Sequence, residues 1–374
     1  MSVFTRWSQL AILAVCSSSV LFLFMSYICP DRSCGTKNLL RKINSATRTL
    51  GSVSTGKRKL RIYRFKNDSI NRFSVFPTRR QVMVFLHMQK TGGTTFGKHL
   101  VQNLNISCPC KCRKVPKLRC KCTSHNSTRI WLFSRYSLGW PCGLHSDWTE
   151  LHACVPDYVR KRDGLDIKRH FLYVTFLREP ISRVLSEFRS YQRGTTWAAS
   201  SHKCNGRTPT KKELPPCYEG DTWEDVTVGD FLACKSNLAF NRQARMLADL
   251  RLVNCYNTTG IGPKKRDKII LKSAMRNLQS MAYFGLTEYQ KESQYLFEKT
   301  FGVKFFRPFA QKAVDDTRAA DVKTDIEPAD IQRLKKLNIV DIRLYTFAKE
   351  LFFYRVKYFK DQDKRKIQKK REIN

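Results

Sequence analysis

Short apolar runs alternate with helical spacing along most of this chain. Residues 82–86 are apolar, a polar turn with two glycines follows from His87, and residues 94–104 show helical spacing. This order predicts a strand, a loop and a helix. A second run, residues 171–177, is typical of a buried parallel strand, and a helix is predicted from Pro180 onwards.

The rest of the chain continues this alternation. The pattern predicts one further strand, at residues 281–285, and helices at residues 231–252, 267–278, 288–301 and 331–359. Residues 197–225 are rich in Gly, Pro and Cys and predict an irregular flap braced by disulfides, and residues 360–374 predict a charged, frayed tail. The expected fold is α/β, a P-loop-like central parallel sheet flanked by helices.

A long apolar run lies near the N-terminus. Residues 10–28 are long enough to span a bilayer, with one charge before them, Arg6, and basic residues after them, so the charge distribution leaves the orientation ambiguous. A cleaved signal peptide is the alternative, but the run exceeds a typical signal core and no Ala-x-Ala site follows. We predict a cytosolic tail at residues 1–8 and an uncleaved transmembrane anchor at residues 9–28.

Basic residues dominate the composition. The 374 residues carry a formal net charge of +38, which suits a polyanion such as nucleic acid, anionic lipid or acidic polysaccharide. Residues 37–80 hold thirteen Lys and Arg but one acid, Asp68, and few apolar clusters. We therefore predict a basic stem at residues 29–80 and one large domain at residues 81–359.

Cysteines and glycosylation sequons indicate the compartment. Twelve cysteines follow from Cys34 onwards, and Asn-x-Ser/Thr sites begin at Asn67, Asn105, Asn126 and Asn257. These features predict an oxidising, glycosylating compartment, where glycan is available as a partner and nucleic acid is not.

A cysteine-rich basic segment occupies residues 108–122, which read CPCKCRKVPKLRCKC. Zinc ligands favour two to four residues between paired cysteines and a reducing compartment, so disulfides are the preferred interpretation. Between Cys108 and Arg135 there are eight Lys and Arg and no acid. The segment is a candidate for binding an anionic chain, and a solvated basic loop is the alternative.

An aromatic segment follows at residues 128–148. Trp140, Trp148 and Tyr136 are candidates for stacking on sugar rings, and Arg135 for meeting a sulfate or carboxylate. His145 has the surroundings of a general base, with Asp147 close enough in sequence to orient it. A packed structural histidine is the alternative.

The loop after the first predicted strand has the chemistry of a phosphate cradle. It ends at a helix N-terminus, where unpaired N–H groups favour an anion; Gly92 and Gly93 allow close approach, and Lys90 adds a charge. The lysine precedes both glycines, so the loop is not a Walker A motif. Arg178 at the next strand's end and Ser186 on the following helix can converge on a second phosphate, and arginine there argues against a magnesium site.

Several stretches together resemble a known family. HMQKTGGTTF and FLREPISRVLSEF resemble the paired 5′- and 3′-phosphate motifs of sulfotransferases that use 3′-phosphoadenylyl sulfate. WLFSRYSLGWPCGLHSDWTEL, GTTW, ELPPCYEG, NRQARMLADL and FGLTEYQ resemble the heparan-sulfate 6-O-sulfotransferases, and the likeness covers residues 81–309, more weakly to 359.

The resemblance implies a role for each matching residue. The 5′-phosphosulfate would be held by His87, Met88, Gln89, Lys90, Thr91, Gly92, Gly93, Thr94, Thr95 and Phe96, and the 3′-phosphate by Arg178 and Ser186. A cofactor-closing loop would contribute Ala310, Gln311, Lys312, Arg318 and Ala319. His145 would be the catalytic base, Lys90 would neutralise charge on the leaving phosphate, and the acceptor contacts would be Arg119, Arg135, Trp140, His145, Ser190 and Trp197.

The resemblance also implies the reaction and the location. We expect sulfuryl transfer from 3′-phosphoadenylyl sulfate to the 6-hydroxyl of glucosamine in heparan sulfate, without a metal, by a single-pass type II protein of the Golgi membrane. Two alternatives remain: a sulfotransferase acting on another position or glycosaminoglycan, and a non-catalytic heparan-binding membrane protein.

Overall fold

The apolar run that begins at Gln81 forms an inner strand of a parallel sheet. The computed structural model describes residues 63, 65–66, 69–114, 117–164, 167–195, 200–220, 222–309 and 326–373. Its strands are β1 Gln81–Leu86, β2 Leu104–Asn105, β3 Lys111–Arg113, β4 Arg119–Lys121, β5 Leu132–Phe133, β6 His170–Leu177, β7 Tyr283–Leu286 and β8 Lys304–Phe305. The parallel sheet has the order β5-β1-β6-β7, while β2 pairs with β8 and β3 with β4 in antiparallel ladders.

Helices surround this sheet. They are α1 Gly93–Gln102, α2 Arg135–Leu138, α3 Trp148–Asp163, α4 Pro180–Tyr191, α5 Val228–Ala233, α6 Arg242–Leu247, α7 Pro263–Ser280, α8 Gln290–Phe301, α9 Pro328–Leu337 and α10 Ile339–Ile373. Val82, Val84 and Val174 are fully buried, as strands covered on both faces require. The predicted α/β fold with a central parallel sheet is confirmed.

The register of the sheet brings two predicted site segments together. β1 and β6 run parallel in continuous register, from Gln81 opposite His170 to Leu86 opposite Thr175. Both strands therefore end at the same edge, where the His87 loop and Arg178 emerge. Open α/β sheets bind their ligands at this carboxyl edge.

The helices predicted at residues 231–252 and 331–359 are each interrupted in the structure. Hydrogen bonds join the residues at the two interruptions. Asn241 adopts a left-handed backbone conformation with φ of 48°, which a continuous helix excludes. Its Nδ2 donates to the Leu337 carbonyl at 2.8 Å, its Oδ1 accepts from the Val340 N–H at 3.0 Å, and its own N–H donates to Asn338 Oδ1 at 3.1 Å. Both predictions of one continuous helix were wrong, because at these positions the chain is hydrogen-bonded to a distant segment and does not continue as a helix.

The C-terminal segment predicted to fray is helical. α10 continues to Ile373 without an apolar stripe on residues 360–373. Tyr295 Oη and Lys299 Nζ, both on α8, bind the carboxylate of Asp363 at 2.8 and 2.5 Å, and Lys357 pairs with Asp361 one turn apart. These polar contacts stabilise a part of α10 that the spacing of apolar residues does not predict.

Residues just before β1, which we assigned to the stem, already pack on the domain. Phe73 stacks on Phe301 with ring centroids 5.3 Å apart, and Phe76 is buried against Trp131 at 5.9 Å. Residues 1–62, with the predicted tail, anchor and most of the stem, lie outside the described residues. Within the described ranges, no helix combines the length and apolar character that a membrane span needs.

Disulfides join the predicted cysteine-rich segments. Cys110–Cys122 and Cys112–Cys120 link the β3–β4 hairpin, as preferred over zinc. The pair Cys142–Cys154 ties the aromatic segment to α3, and Cys204–Cys255 and Cys217–Cys234 brace the flap. The sequon residues Asn105 and Asn126 are exposed, and their glycosylation stays a prediction.

Candidate active site

The loop between β1 and α1 is shaped by its two glycines. Gly92 has a left-handed φ of 78° and precedes the first turn of α1, which has no side-chain cap among the described residues. A Cβ added at Gly93 would lie 2.3 Å from Cδ2 of the His87 ring. Glycine is therefore required for this close approach, and the first N–H groups of α1 remain available to an anion.

Not all of the predicted loop faces this space. Met88 and Phe96 are buried, and Phe96 packs against Phe176 with ring centroids 4.6 Å apart. Gly92 is exposed, and Lys90, Thr94 and Thr95 are half-buried. The side chains that can meet a ligand thus lie around the turn, while the ends of the predicted range 87–96 belong to the core.

Lys90 joins three separate parts of the chain at this edge. Its Nζ donates to Ser190 Oγ on α4 at 2.6 Å, and its carbonyl accepts from Arg178 Nη1 at 3.2 Å. The loop is also held by Thr287, whose Oγ1 donates to the Thr91 carbonyl at 2.8 Å. The two segments predicted to hold the two phosphates are therefore in direct contact.

The surroundings of Lys90 weaken its proton affinity. Burial and then the charge of Arg193 lower the pKa of Lys90 to about 8, with smaller contributions of the same sign from Arg178 and Arg183, while Glu187 opposes them. A lysine in such a cationic, half-buried place gains from an arriving anion, because the anion offsets the repulsion.

Arg178 and Ser186 approach the same region from β6 and α4. Gln243 clamps the Arg178 backbone, accepting from its N–H and donating to its carbonyl, both at 2.9 Å. Ser186 is buried one turn before Ser190 on α4, and its carbonyl accepts from Ser190 Oγ at 3.1 Å. Ser190, predicted as an acceptor contact, is thus hydrogen-bonded to Lys90, while the joint phosphate role of Arg178 and Ser186 stays a prediction.

His145 lies beside this cluster in an aromatic setting. Its Nδ1 is 2.8 Å from the carbonyl oxygen of His87, and its ring centroid lies 4.8 Å from that of Trp140 and 5.0 Å from that of His87. A carbonyl only accepts, so Nδ1 carries the proton and Nε2 holds the lone pair. Burial lowers the pKa of His145 to about 4, so the imidazole is neutral near pH 7.

The expectation that Asp147 orients His145 was wrong. The Asp147 carboxylate caps α3 and accepts from the Glu150 N–H at 3.0 Å. The carbonyl of His87 performs the orienting role instead. Sequence proximity favoured Asp147, but the demand of a helix N-terminus for a side-chain acceptor determines its direction.

Of the three rings predicted to stack on sugars, Trp140 lies beside His145, whereas Tyr136 and Trp148 pack within the fold. Arg135 lies against both the Tyr136 and Trp140 rings, 4.9 and 5.8 Å from their centroids, and its Nη1 is 3.5 Å from Thr94 Oγ1. Trp140 faces His145, whereas Tyr136 is buried. The Trp148 ring stacks on the His152 ring with centroids 3.7 Å apart and packs against Tyr173. Trp148 therefore stabilises α3.

Arg119 reaches the site region from the β3–β4 hairpin. A Cβ built on Gly139 would lie 3.0 Å from Arg119 Nη1. Gly139 immediately precedes Trp140, so Arg119 lies beside the turn that carries this ring. The predictions for Trp197 and for Ala310, Gln311, Lys312, Arg318 and Ala319 lie outside the described residues.

A buried ion network lies behind Lys90 and was not predicted from the sequence. The carboxylate of Glu187 binds the guanidinium groups of both Arg183 and Arg242, and all three side chains are buried. Although burial alone would raise it, the pKa of Glu187 falls to about 2 because of the two arginines. Charged residues four apart on the otherwise apolar face of α4 were the available signal.

No group of three His, Cys, Asp or Glu side chains in the described ranges is arranged to hold a metal ion. The expectation of a metal-free reaction remains a prediction.

Comparison with known proteins adds the family context. The model described as "Sulfotransferase family" matches residues 73–348. Heparan-sulfate 6-O-sulfotransferase 1-B of Danio rerio is 54% identical over 285 residues, which cover 76% of this chain and 69% of that protein. Heparan-sulfate 6-O-sulfotransferase 1 of Cricetulus griseus is 54% identical over 286 residues, 76% of this chain and 70% of that protein. Heparan-sulfate 6-O-sulfotransferase 2 of Gallus gallus is 45% identical over 362 residues, 94% of this chain and 89% of that protein.

Proposed function

This chain belongs to the sulfotransferase family, among the heparan-sulfate 6-O-sulfotransferases, and we propose that it transfers a sulfuryl group from 3′-phosphoadenylyl sulfate to the 6-hydroxyl of glucosamine residues in heparan sulfate. One observation carries the proposal: the loop that presents Lys90 also holds the imidazole of His145 through the His87 carbonyl, at 2.8 Å. An anion site and a candidate base are thereby fixed to one short backbone segment.

The residues present fit a nucleotide donor with two anionic ends. The first turn of α1 has no side-chain cap in the described part of the chain, and the glycines at positions 92 and 93 add no side chain to this turn. The buried Nδ1 atom of His87, in the same loop, has no hydrogen-bond partner among the described residues. The donor supplies an activated sulfuryl group, and Lys90, the α1 N-terminus, Arg178 and Ser186 would hold its anionic groups.

His145 serves as the general base. A sugar hydroxyl is a weak nucleophile until its proton is removed, and Nε2 of the neutral His145 imidazole offers the lone pair that accepts it. The Nδ1 hydrogen bond to His87 fixes the ring orientation and stabilises the imidazolium as it forms. Positioned bases of this kind contribute about 10²–10⁴ in rate.

Lys90 stabilises charge. Its ammonium group, carried by the loop from His87, would lie where negative charge grows as the leaving phosphate departs, and a preorganised cation there lowers the barrier by about 3 kcal/mol. Ser190 holds the ammonium in place at 2.6 Å.

The acceptor is recognised beside His145. Arg135 can meet a sulfate or carboxylate of the glycan, and the half-exposed Trp140 offers a ring to a sugar face. Arg119 extends this surface next to Gly139. Trp197 is assigned to the same acceptor site on the family resemblance.

The proposal includes the location. The apolar run at residues 10–28, the basic stem and the oxidised cysteines support a single-pass type II protein of the Golgi membrane with its catalytic domain in the lumen. Proteolysis of sealed Golgi vesicles tests this, because a lumenal domain is protected until detergent is added.

Transfer of labelled sulfate from 3′-phosphoadenylyl sulfate onto 6-O-desulfated heparin, followed by disaccharide analysis, tests the reaction. We expect label on the 6-position of glucosamine. Label at the 2-position of uronic acid or on another glycosaminoglycan would indicate a different acceptor, and binding of heparin without any incorporation would indicate a non-catalytic heparan-binding protein.

A further inference from the structure

The β3–β4 hairpin places like charges directly opposite each other. In its antiparallel ladder Lys111 pairs with Lys121 and Arg113 with Arg119, and all four residues are exposed. Like charges across a ladder destabilise it, and an isolated two-stranded hairpin is at best marginally stable. The arrangement therefore opposes the folding of the hairpin that carries it.

Covalent bonds hold the hairpin together against this repulsion. Cysteines alternate with the cations along both strands, so that Cys112 lies opposite Cys120 and is bonded to it, and Cys110 is bonded to Cys122. Because successive strand residues point to opposite faces, the disulfides occupy one face and the four cations share the other. The hairpin is a rigid platform that keeps four positive charges together.

These cations lack carboxylate partners in the part of the chain that the structure describes. The ion pairs there involve other residues, and the hairpin segment from Cys108 to Cys122 contains no acidic residue. Their charge is thus available to a ligand, and four closely spaced cations suit a polyanion better than a single small anion.

The hairpin lines a groove of about 640 Å³, to which Cys112, Cys120 and Cys122 contribute together with the four cations. Leu138 of α2 and Tyr158 and Arg162 of α3 form other parts of the lining. The Nε atom of Arg162 lies 3.8 Å from Oδ1 of Asp163, so this cation, unlike the four of the hairpin, has an acidic neighbour among the described residues. At the end nearest the active site, Arg119 lies beside Gly139, and the next residue, Trp140, contacts His145.

We propose that this groove is a second binding site for the heparan sulfate chain, one that grips a sulfated segment beyond the glucosamine at His145. The inference rests on the proposed function for the identity of the chain. Sulfate groups can accept paired hydrogen bonds from the guanidinium N–H groups of Arg113 and Arg119. They can also form ion pairs with the ammonium groups of Lys111 and Lys121. Long acceptors that already carry sulfates are therefore bound more tightly than short ones, because they reach both sites at once.

A triple variant, Lys111→Gln with Arg113→Gln and Lys121→Gln, tests the site. It leaves Arg119 in place and removes cross-strand repulsion, so the fold is expected to persist with an unchanged or raised melting temperature. The control is Lys264→Gln with Lys265→Gln and Lys268→Gln, three exposed lysines of α7 with the same charge loss.

Heparin binding without donor gives the first readout. Each exposed ion pair contributes a factor of about two, so the triple variant is expected to bind heparin roughly tenfold more weakly, with a shallower dependence on salt. The control is expected to stay within about twofold of the unaltered protein. Equal losses in the two variants would overturn the proposal, since they would reflect net charge alone.

Acceptor length gives the second readout. With long 6-O-desulfated heparin the triple variant is expected to show a KM about tenfold higher at unchanged kcat, and with a short oligosaccharide both constants are expected to be unchanged. An equal rise for both acceptors would overturn the second site and place the three substituted cations in the transfer site with Arg119. Loss of binding to phosphatidylserine vesicles with heparin binding intact would also overturn it, in favour of a membrane surface.

The two proposals fail separately. If the unaltered protein transferred no sulfate to any glycan, the proposed function would fall, while heparin binding by the triple variant would still decide whether the groove holds a sulfated chain.

Discussion

The Nδ1 atom of His145 lies 2.8 Å from the carbonyl oxygen of His87, a residue 58 positions earlier in the chain. His87 is the first residue after β1, and its own ring is buried between Phe85 and Trp140 at centroid distances of 5.2 and 5.7 Å. The candidate base is therefore oriented by the backbone of a packed loop rather than by a carboxylate. Its position depends on the same loop that presents Lys90.

His145→Asn tests the base directly. The asparagine amide can still donate to the His87 carbonyl but offers no basic nitrogen at the Nε2 position, so we expect kcat to fall by about 10²–10⁴. Binding of adenosine 3′,5′-bisphosphate, measured by calorimetry, should change by less than about threefold because the phosphate contacts are intact. A comparable loss of turnover and nucleotide binding would mean that the histidine is structural.

The protonation of His145 is expected to occur well below the ordinary histidine range. Burial holds its pKa at about 4, so its imidazole should stay neutral from pH 7 to pH 5. Since the unfolded chain would take up that proton near pH 6.5, this residue contributes stability above that pH and the contribution is lost as pH falls towards 4. NMR titration of ¹³C-labelled histidine, assigned by the signal missing in His145→Asn, checks this; a midpoint at 6.5 would contradict it.

Donor affinity should depend on the charge of Lys90. Its pKa of about 8 means that the neutral form accumulates as pH rises above 8, so the dissociation constant of adenosine 3′,5′-bisphosphate should rise by up to tenfold per pH unit there. In Lys90→Arg, whose side chain remains charged, the affinity should lose this dependence up to pH 10. In Lys90→Met the affinity should be low at every pH, and a pH profile like that of the unaltered protein would contradict the role.

Gly93→Ala is expected to disturb the base and the anion loop together. The new Cβ would meet the His87 ring, whose backbone carbonyl holds His145, so either the ring or the loop must move. We expect kcat to fall at least tenfold, since small misplacements of reacting groups cost about that much or more. Gly229→Ala is a matched control because its nearest neighbour, the Thr227 hydroxyl, would lie at an ordinary 3.6 Å. An unaffected Gly93→Ala enzyme would show that the close contact has no consequence.

Glu187→Gln is expected to be strongly destabilising. It would leave the buried guanidinium groups of Arg183 and Arg242 without their shared carboxylate, and breaking a buried pair from one side costs about 3–5 kcal/mol. Urea unfolding measures the free energy, with Glu213→Gln as the control because its pair with Arg207 is at the surface. Similar midpoints for the two variants would contradict the importance of the network.

Local pattern predicted the elements that carry the segments proposed to bind the nucleotide. The strands β1, β6 and β7 and the helices α1, α7 and α8 were expected within a few residues of their observed ends, and α4 was expected to begin near Pro180, as it does. Each has either a continuous apolar run or clear helical spacing, and burial on both faces of a parallel sheet leaves this signature in the sequence. The disulfides of the cysteine-rich hairpin were expected from its composition and from the predicted oxidising compartment.

Features that depend on distant partners were missed. Asn241 and Asn338 each interrupt a predicted helix. The Asn241 N–H donates to Asn338 Oδ1, 97 positions away, and the Asn241 side chain binds the backbone of Leu337 and Val340. Asp147 was assigned to His145 because it is near in sequence, yet it caps α3. Trp148 was expected at the sugar site and instead supports α3 by stacking on His152.

The sequence by itself determined the α/β architecture, the glycine-rich form of the loop from His87 and the strongly basic composition, because periodicity, glycine positions and charge are local properties. Only the tertiary structure decided that Lys90 binds Ser190, that Arg178 touches the Lys90 carbonyl, and that the backbone of His87 holds His145. These contacts join segments 58 to 100 positions apart, and their geometry depends on the parallel register of β1 and β6, which no local pattern specifies.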